Sequence, residues 1–172
     1  MHPHLETAVE RTADAAQDLM RGLADAVAAV GWHVATAESL TAGTIATVLA
    51  ATPSATTWLR GSLVAYSPEV KFGLGVPRGP VVTEECALIL ARRTAELLDA
   101  DLCVAVTGVG GPEPDEGEAP GTVWFAVVSP AGETTVKAVF PGDPPQVLVA
   151  TTERAIALLT AAAGGQGSAG TD

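Results

Sequence analysis

Leu102-Cys103-Val104-Ala105-Val106 is an unbroken apolar run closed by Thr107-Gly108. A run this short reads as a strand covered on both faces, which needs a layer of structure above and below it. The rest of the chain supplies such layers. Leu5, Val9, Leu19, Leu23, Val27 and Val30 mark an amphipathic helix over about 5–30, ended by Gly31. Trp32 to Thr36 is a short strand, followed by a helix over 41–51 that Pro53-Ser54 breaks. Leu59 to Tyr66 is a second strand. Pro68 then takes the first helical position, so Lys71 falls one turn into that helix.

Gly73, Gly75, Pro77, Gly79 and Pro80 make a loop. Thr83 caps a strong helix to Leu98, with Cys86, Leu90, Ala91, Thr94 and Leu97 on one stripe. After the central run comes a loop over 108–121. Thr122–Val128 and Thr134–Phe140 form a hairpin about Ser129-Pro130-Ala131-Gly132, and Val147–Ala163 is the closing helix. The order α-β-α-β-α-α-β-β-β-α predicts an α/β fold, a three-layer α/β/α sandwich with a mixed sheet and one antiparallel hairpin. Residues 1–163 read as a single domain and 164–172 as a flexible tail.

Composition narrows the function. Hydrophobic residues make up 48% of the chain, enough to build a core. Nine Lys and Arg stand against 20 Asp and Glu, a net charge of -11, which excludes a broad nucleic-acid surface. A small phosphorylated ligand remains compatible. No apolar run is read as a membrane span, and Met1-His2-Pro3-His4 lacks the blocks of a signal peptide, so the expected location is cytoplasmic. His2, His4 and His33 have no metal spacing, and Glu113, Asp115, Glu116 and Glu118 lack the regular spacing of a calcium loop. That acidic stretch reads as a solvated loop. Cys86 and Cys103 read as buried, inert thiols. No metal or cofactor is implied.

Three stretches can carry chemistry. Thr36-Ala37-Glu38-Ser39-Leu40-Thr41-Ala42-Gly43 joins a strand to a helix. Ser39 is either a nucleophile beside unpaired N–H groups or, with Thr41, a plain helix cap. Tyr66 to Lys71 holds the only tyrosine and one of two lysines, the other being Lys137. Lys71 is either a surface residue or, if buried, a base for a serine. Thr107-Gly108-Val109-Gly110-Gly111-Pro112 is either a bare glycine turn or a wall of N–H groups against a ligand. It is not a dinucleotide motif, because Glu113 stands where a third glycine belongs, and it has no P-loop ending.

Taken together and in order, Ala37 to Gly43, Gly61 to Ser67 with Lys71, Leu74-Gly75-Val76, Thr107 to Pro112 and Gly121-Thr122-Val123 resemble the CinA C-terminal domain family, the nicotinamide mononucleotide deamidases. The likeness covers about 20–162. It implies the same α/β/α fold and hydrolysis of the nicotinamide mononucleotide carboxamide to nicotinate mononucleotide and ammonia. It places the family's serine on Ser39, its lysine on Lys71 and its tyrosine on Tyr66. Glu38, Thr41, Ala42, Gly43, Thr107, Gly108, Gly110 and Gly111 would contact the substrate, with N–H groups around Thr41 to Gly43 holding the oxyanion. Tyr66 would orient Lys71 or Ser39 by hydrogen bonding.

The chain departs from the family pattern where two glycines are usual and Ala42-Gly43 stands. It departs again after Asp143, where arginines are common and this chain has Pro144 and Leu148. Arg60 is a candidate substitute for them, set against a structural or solvent-exposed role, which is the commoner one for a single arginine. Two expectations result: a working amidohydrolase, or a non-catalytic nucleotide-binding or interaction module of the same fold. The long N-terminal helix suits either packing between subunits in a homo-oligomer or cover for its own sheet.

Overall fold

The computed structural model describes residues 3–167, with side-chain placement over 17–165. Its elements are α1 (Pro3–Val30), β1 (Val34–Glu38), α2 (Thr44–Ala50), a 3-10 turn (Ala55–Thr57), β2 (Leu59–Val64), α3 (Pro68–Gly73), α4 (Glu84–Leu98), β3 (Leu102–Gly108), β4 (Thr122–Ser129), β5 (Gly132–Val139) and α5 (Pro144–Gly167). The predicted order of helices and strands holds throughout. The first strand lies two residues later than its apolar start suggested, and α2 starts at Thr44 instead of residue 41. Helix α5 runs through Gly167, so 164–167 belong to the helix, and 168–172 lie outside the described residues.

The sheet order is β2-β1-β3-β4-β5. β1 pairs parallel with both β2 and β3, while β3–β4 and β4–β5 are antiparallel. This is the expected mixed sheet, with the hairpin closed at Ser129 opposite Gly132.

Alternation along β3 divides the core. Leu102, Val104 and Val106 join Val34, Val123 and Phe125 beneath α1, α2 and α5. Cys103 and Ala105 join Ala35, Ala37 and Ala126 beneath α4. The second face is built of small residues, which lets α4 lie close to the sheet. Both faces of β3 are therefore covered, as its apolar run required. Leu23 and Val27 of α1 are buried, and this helix packs on α5.

Pro144–Gly165 of α5 has the length and apolar content of a membrane span, though Glu153 and Arg154 interrupt its apolar run, so no uninterrupted apolar run of that length is present in it. Val147, Ala155, Ile156, Leu159 and Ala163 of that helix are buried in the first core.

Candidate active site

The junction after β1 carries a fully buried carboxylate. Glu38 accepts from Gly43 N (2.9 Å), Ile45 N (3.1 Å) and Ala46 N (2.8 Å). It also accepts from the Thr36 and Ser62 hydroxyls, each at 3.1 Å. Glu38 thus closes the start of α2 from within, the role a capping side chain has at other helices. The cap position itself is Gly43, at φ 97° with no side-chain cap bond. Neither Ser39 nor Thr41 caps, and the buried Thr41 hydroxyl has no partner.

This arrangement corrects the expected oxyanion donors. The Gly43 N–H is held by Glu38, and the Ala42 N–H donates to Ser39 O at 3.0 Å. The N–H groups of Leu40 and Thr41 are left. Ala42 is forced to φ 48°, a left-handed conformation that a side chain adopts at a cost. Ser39 itself is 6% exposed, and its hydroxyl makes no hydrogen bond among the described residues.

Parallel pairing of β2 with β1 brings the next motif to the same end of the sheet. Val64 lies opposite Glu38, and Ala65 N donates to Glu38 O at 2.8 Å. The chain turns at Ser67, which caps α3 by accepting from Val70 N, and Pro68 starts the helix. Lys71 then points inward and is 2% exposed, which overturns its reading as a surface residue.

Its Nζ donates to the Tyr66 carbonyl at 3.0 Å. Burial lowers the Lys71 pKa below its ordinary 10.5, and nearby Cys86 and Glu116 partly oppose the shift. The same burial pushes the Cys86 thiol up to about 11, with Lys71 pulling it back. Tyr66 orients the lysine through its backbone. Its side chain is 67% exposed, so the expected phenol contact is absent.

Both motifs face one cavity of about 610 Å³, within the usual range for small-molecule sites. Ser39 and Leu40 form one wall, and Tyr66, Pro68 and Lys71 the next. Thr107, Gly108, Gly110 and Gly111 line it from the end of β3, as the glycine motif led one to expect. The cavity thus sits where connections leave the carboxyl ends of adjacent parallel strands, the usual crevice of an open α/β sheet. Gly108 has a structural reason to be glycine, because a Cβ there would strike the Thr122 carbonyl oxygen of β4.

Glu38, Thr41, Ala42 and Gly43 are not among the lining residues; they shape the turn that presents Ser39. Arg60 is absent too. It lies next to Leu59, which pairs with Val34 at the far end of β1, and its guanidinium is 3.7 Å from Asp99. That end of the sheet is remote from Ser39.

The loop after Gly111 is solvent-exposed from Pro112 to Gly117, as expected of a solvated loop, and it also borders the cavity. Glu113, Asp115 and Glu116 all line the cavity. Glu116 accepts from Val81 N (2.7 Å) and Val82 N (2.8 Å), tying its loop to the segment before α4. Thr107 Oγ1 fastens the same segment by donating to Val81 O at 2.8 Å. The signal for this fold-back is slight: Glu116 and Gly117, both at positive φ, turn the chain between Asp115 and Glu118. Pro144, Pro145 and Leu148 complete the lining from the start of α5.

The comparisons with known proteins agree with this geometry. The family model of the CinA C-terminal domain matches residues 16–163. A CinA-like protein of Frankia casuarinae is 36% identical over 120 residues, 66% of this chain and 28% of that protein. The chain spans about a quarter of the length of the curated relatives it matches. Among solved structures, a competence-damaged protein (CinA) superfamily protein of Klebsiella pneumoniae superposes with a TM-score of 0.81 at 31% identity. That match covers 85% of this chain and 96% of the other. The corresponding superfamily protein of Escherichia coli gives 0.79 at 33% identity, covering 83% and 87%. With the motifs in register, the family model matched over most of the chain and the fold shared, this chain belongs to the CinA C-terminal domain family.

Proposed function

We propose that the chain is a serine–lysine amidohydrolase acting on the carboxamide of a nicotinamide nucleotide. Nicotinamide mononucleotide is the substrate that the resemblance implies. The observation that carries this reading is the pairing, on one cavity, of a Ser39 hydroxyl that makes no hydrogen bond among the described residues and a buried lysine whose pKa is lowered by burial. Buried ionisable groups with strongly altered environments are poised for acid–base work.

In this mechanism Ser39 Oγ attacks the carboxamide carbon while neutral Lys71 takes the hydroxyl proton. The oxyanion is held by the Leu40 and Thr41 N–H groups, each donor worth about 3 kcal/mol in comparable sites. Lys71 returns the proton to nitrogen, the C–N bond breaks, and ammonia leaves. Water then attacks the Ser39 ester as Lys71 takes its proton, and Lys71 returns that proton to Ser39 Oγ as the ester C–O bond breaks and the acid is freed. The Tyr66 carbonyl holds Nζ in place between these transfers.

A second reading, a binding module without turnover, is favoured by one detail. The Lys71 Nζ bond goes to Tyr66 O, and Ser39 Oγ is not engaged. Ammonia release from nicotinamide mononucleotide, measured with a metal chelator present, separates the two. The hydrolase reading expects turnover that falls roughly 10³-fold or more in both Ser39→Ala and Lys71→Ala. Turnover retained in Ser39→Ala would remove the nucleophile assignment. Nucleotide binding without ammonia release in the wild type would establish the second reading.

A further inference from the structure

The segment from Val64 to Val70 leaves apolar surface in solvent. Among the described residues five large hydrophobic side chains are exposed, and Val64, Tyr66 and Val70 are three of them. Exposed apolar area gathered at one place marks a contact surface. Of these three only Tyr66 lines the cavity, and among the described residues it is the one aromatic side chain that does. The three Trp and three Phe rings are occupied by the protein itself. The Arg78 guanidinium lies over Phe72 at 5.1 Å, and the Lys137 ammonium over Trp124 at 5.6 Å. Phe125 and Phe140 meet edge to face with centroids 6.2 Å apart, while Trp58 is buried in the first core and Trp32 packs against it. Among the described residues the Tyr66 ring alone stands open, with no cation and no second ring over it.

The reacting group fixes where a substrate ring must lie. The carboxamide carbon of a nicotinamide is bonded directly to the pyridinium, so attack by Ser39 puts that ring in the cavity beside Ser39. Leu40, Pro68, Val81 and Val82 give this cavity aliphatic walls. A cationic ring gives up water on entering, and an aliphatic wall does not replace it. An aromatic face does, because its quadrupole is negative above the ring plane. The Tyr66 carbonyl already holds Lys71 Nζ at 3.0 Å, so the ring lies within one residue's reach of the base.

We propose that the open ring of Tyr66 is the platform on which the cationic pyridinium of the substrate stacks, and that it selects a charged ring over an uncharged one. The inference rests on the nicotinamide-nucleotide reading for its ligand and gives Tyr66 two separable parts. Its backbone carbonyl holds the base, and its ring holds the substrate. The protein makes the same kind of contact internally, with Arg78 on Phe72 and Lys137 on Trp124. A stack of this kind is formed on binding and is not specific to the transition state, so its loss appears in KM more than in kcat.

The test compares nicotinamide mononucleotide, whose ring is cationic, with its reduced dihydropyridine form, whose ring is neutral; both keep the carboxamide and the phosphate. In ammonia release from the cationic form, Tyr66→Leu raises KM roughly tenfold and changes kcat less than about threefold. Tyr66→Phe keeps the ring and holds KM within about twofold. Calorimetric titration in a Ser39→Ala background reads binding without turnover. There, adding Tyr66→Leu weakens the cationic form roughly tenfold and the neutral form less than about threefold. The side chain is exposed and the carbonyl is retained, so Tyr66→Leu folds, which thermal unfolding checks. A loss confined to kcat, a Phe variant as impaired as the Leu variant, or equal losses for the two ring forms overturns the proposal. If the wild type releases no ammonia, the hydrolase reading fails, and titration of the wild type and Tyr66→Leu with the same two compounds decides the platform by itself. Weaker binding of the cationic form in Tyr66→Leu then supports it; unchanged binding, or no binding of either compound to the wild type, overturns it.

Discussion

Glu38 and Lys71 are both buried to within 2% of full enclosure, yet they are treated in opposite ways. Glu38 receives five hydrogen bonds, two from the backbone of α2, one from its cap residue Gly43 and two from hydroxyls. Lys71 makes one, to a carbonyl. A carboxylate whose lone pairs are occupied by hydrogen bonds serves the fold. An ammonium with one acceptor in a dry wall has reason to lose its proton and is available for chemistry. Burial alone therefore does not distinguish the two charges; the number of hydrogen bonds each receives does.

The comparison breaks most sharply at Lys71. Lys71→Met keeps the bulk and removes the amine. Turnover should fall roughly 10³-fold or more, while stability at neutral pH rises by about 1–2 kcal/mol. The sign follows from the lowered pKa. The folded state gives up the proton more readily than the unfolded chain, so the wild type loses stability as pH falls from 10.5 through the folded value. The methionine variant lacks that slope in urea unfolding. In the wild type, kcat/KM rises with pH as Lys71 becomes neutral, with its midpoint below 10.5.

Glu38→Gln tests the other half. An amide replaces one acceptor oxygen with a donor that faces N–H groups already pointing inward. Loss of about 3 kcal/mol of stability is expected in thermal or urea unfolding, with partial loss of turnover through a displaced Ser39. A variant as stable as the wild type would show that the buried carboxylate does not hold the turn.

The remaining two changes are smaller and sharpen the distinction. Ala42→Gly relieves the left-handed strain at φ 48° in the turn that Glu38 organises, and should stabilise by roughly 0.5–1 kcal/mol. Tyr66→Phe leaves the carbonyl that anchors Lys71 untouched, so turnover should change less than about threefold, roughly 0.5 kcal/mol. A larger loss would restore a role for the exposed phenol.

Much of the fold was legible because its signals are local. Pro68 behind Ser67, Thr83 ahead of Glu84 and the turn at Ser129 act through neighbouring residues, and each appears where expected. The helix over 41–51 was placed too early. Its first residues are held in a left-handed turn at Ala42 and Gly43 by a carboxylate preceding them, a contact that no cap pattern encodes.

By itself, the sequence determined the order of elements, the doubly covered central strand, and the motifs bearing Ser39, Lys71 and the glycines of the β3 loop. These depend on periodicity, turn residues and spacing, which operate over a few positions. The tertiary structure decided which groups share a cavity, and it excluded Arg60 by placing it at the other end of β2. It also turned Glu38 from a ligand contact into a buried cap and brought Glu116 beside the valines before α4. Those outcomes depend on strand register and loop fold-back between distant positions. Electrostatic environment is a property of such packing, and one-dimensional spacing does not carry it.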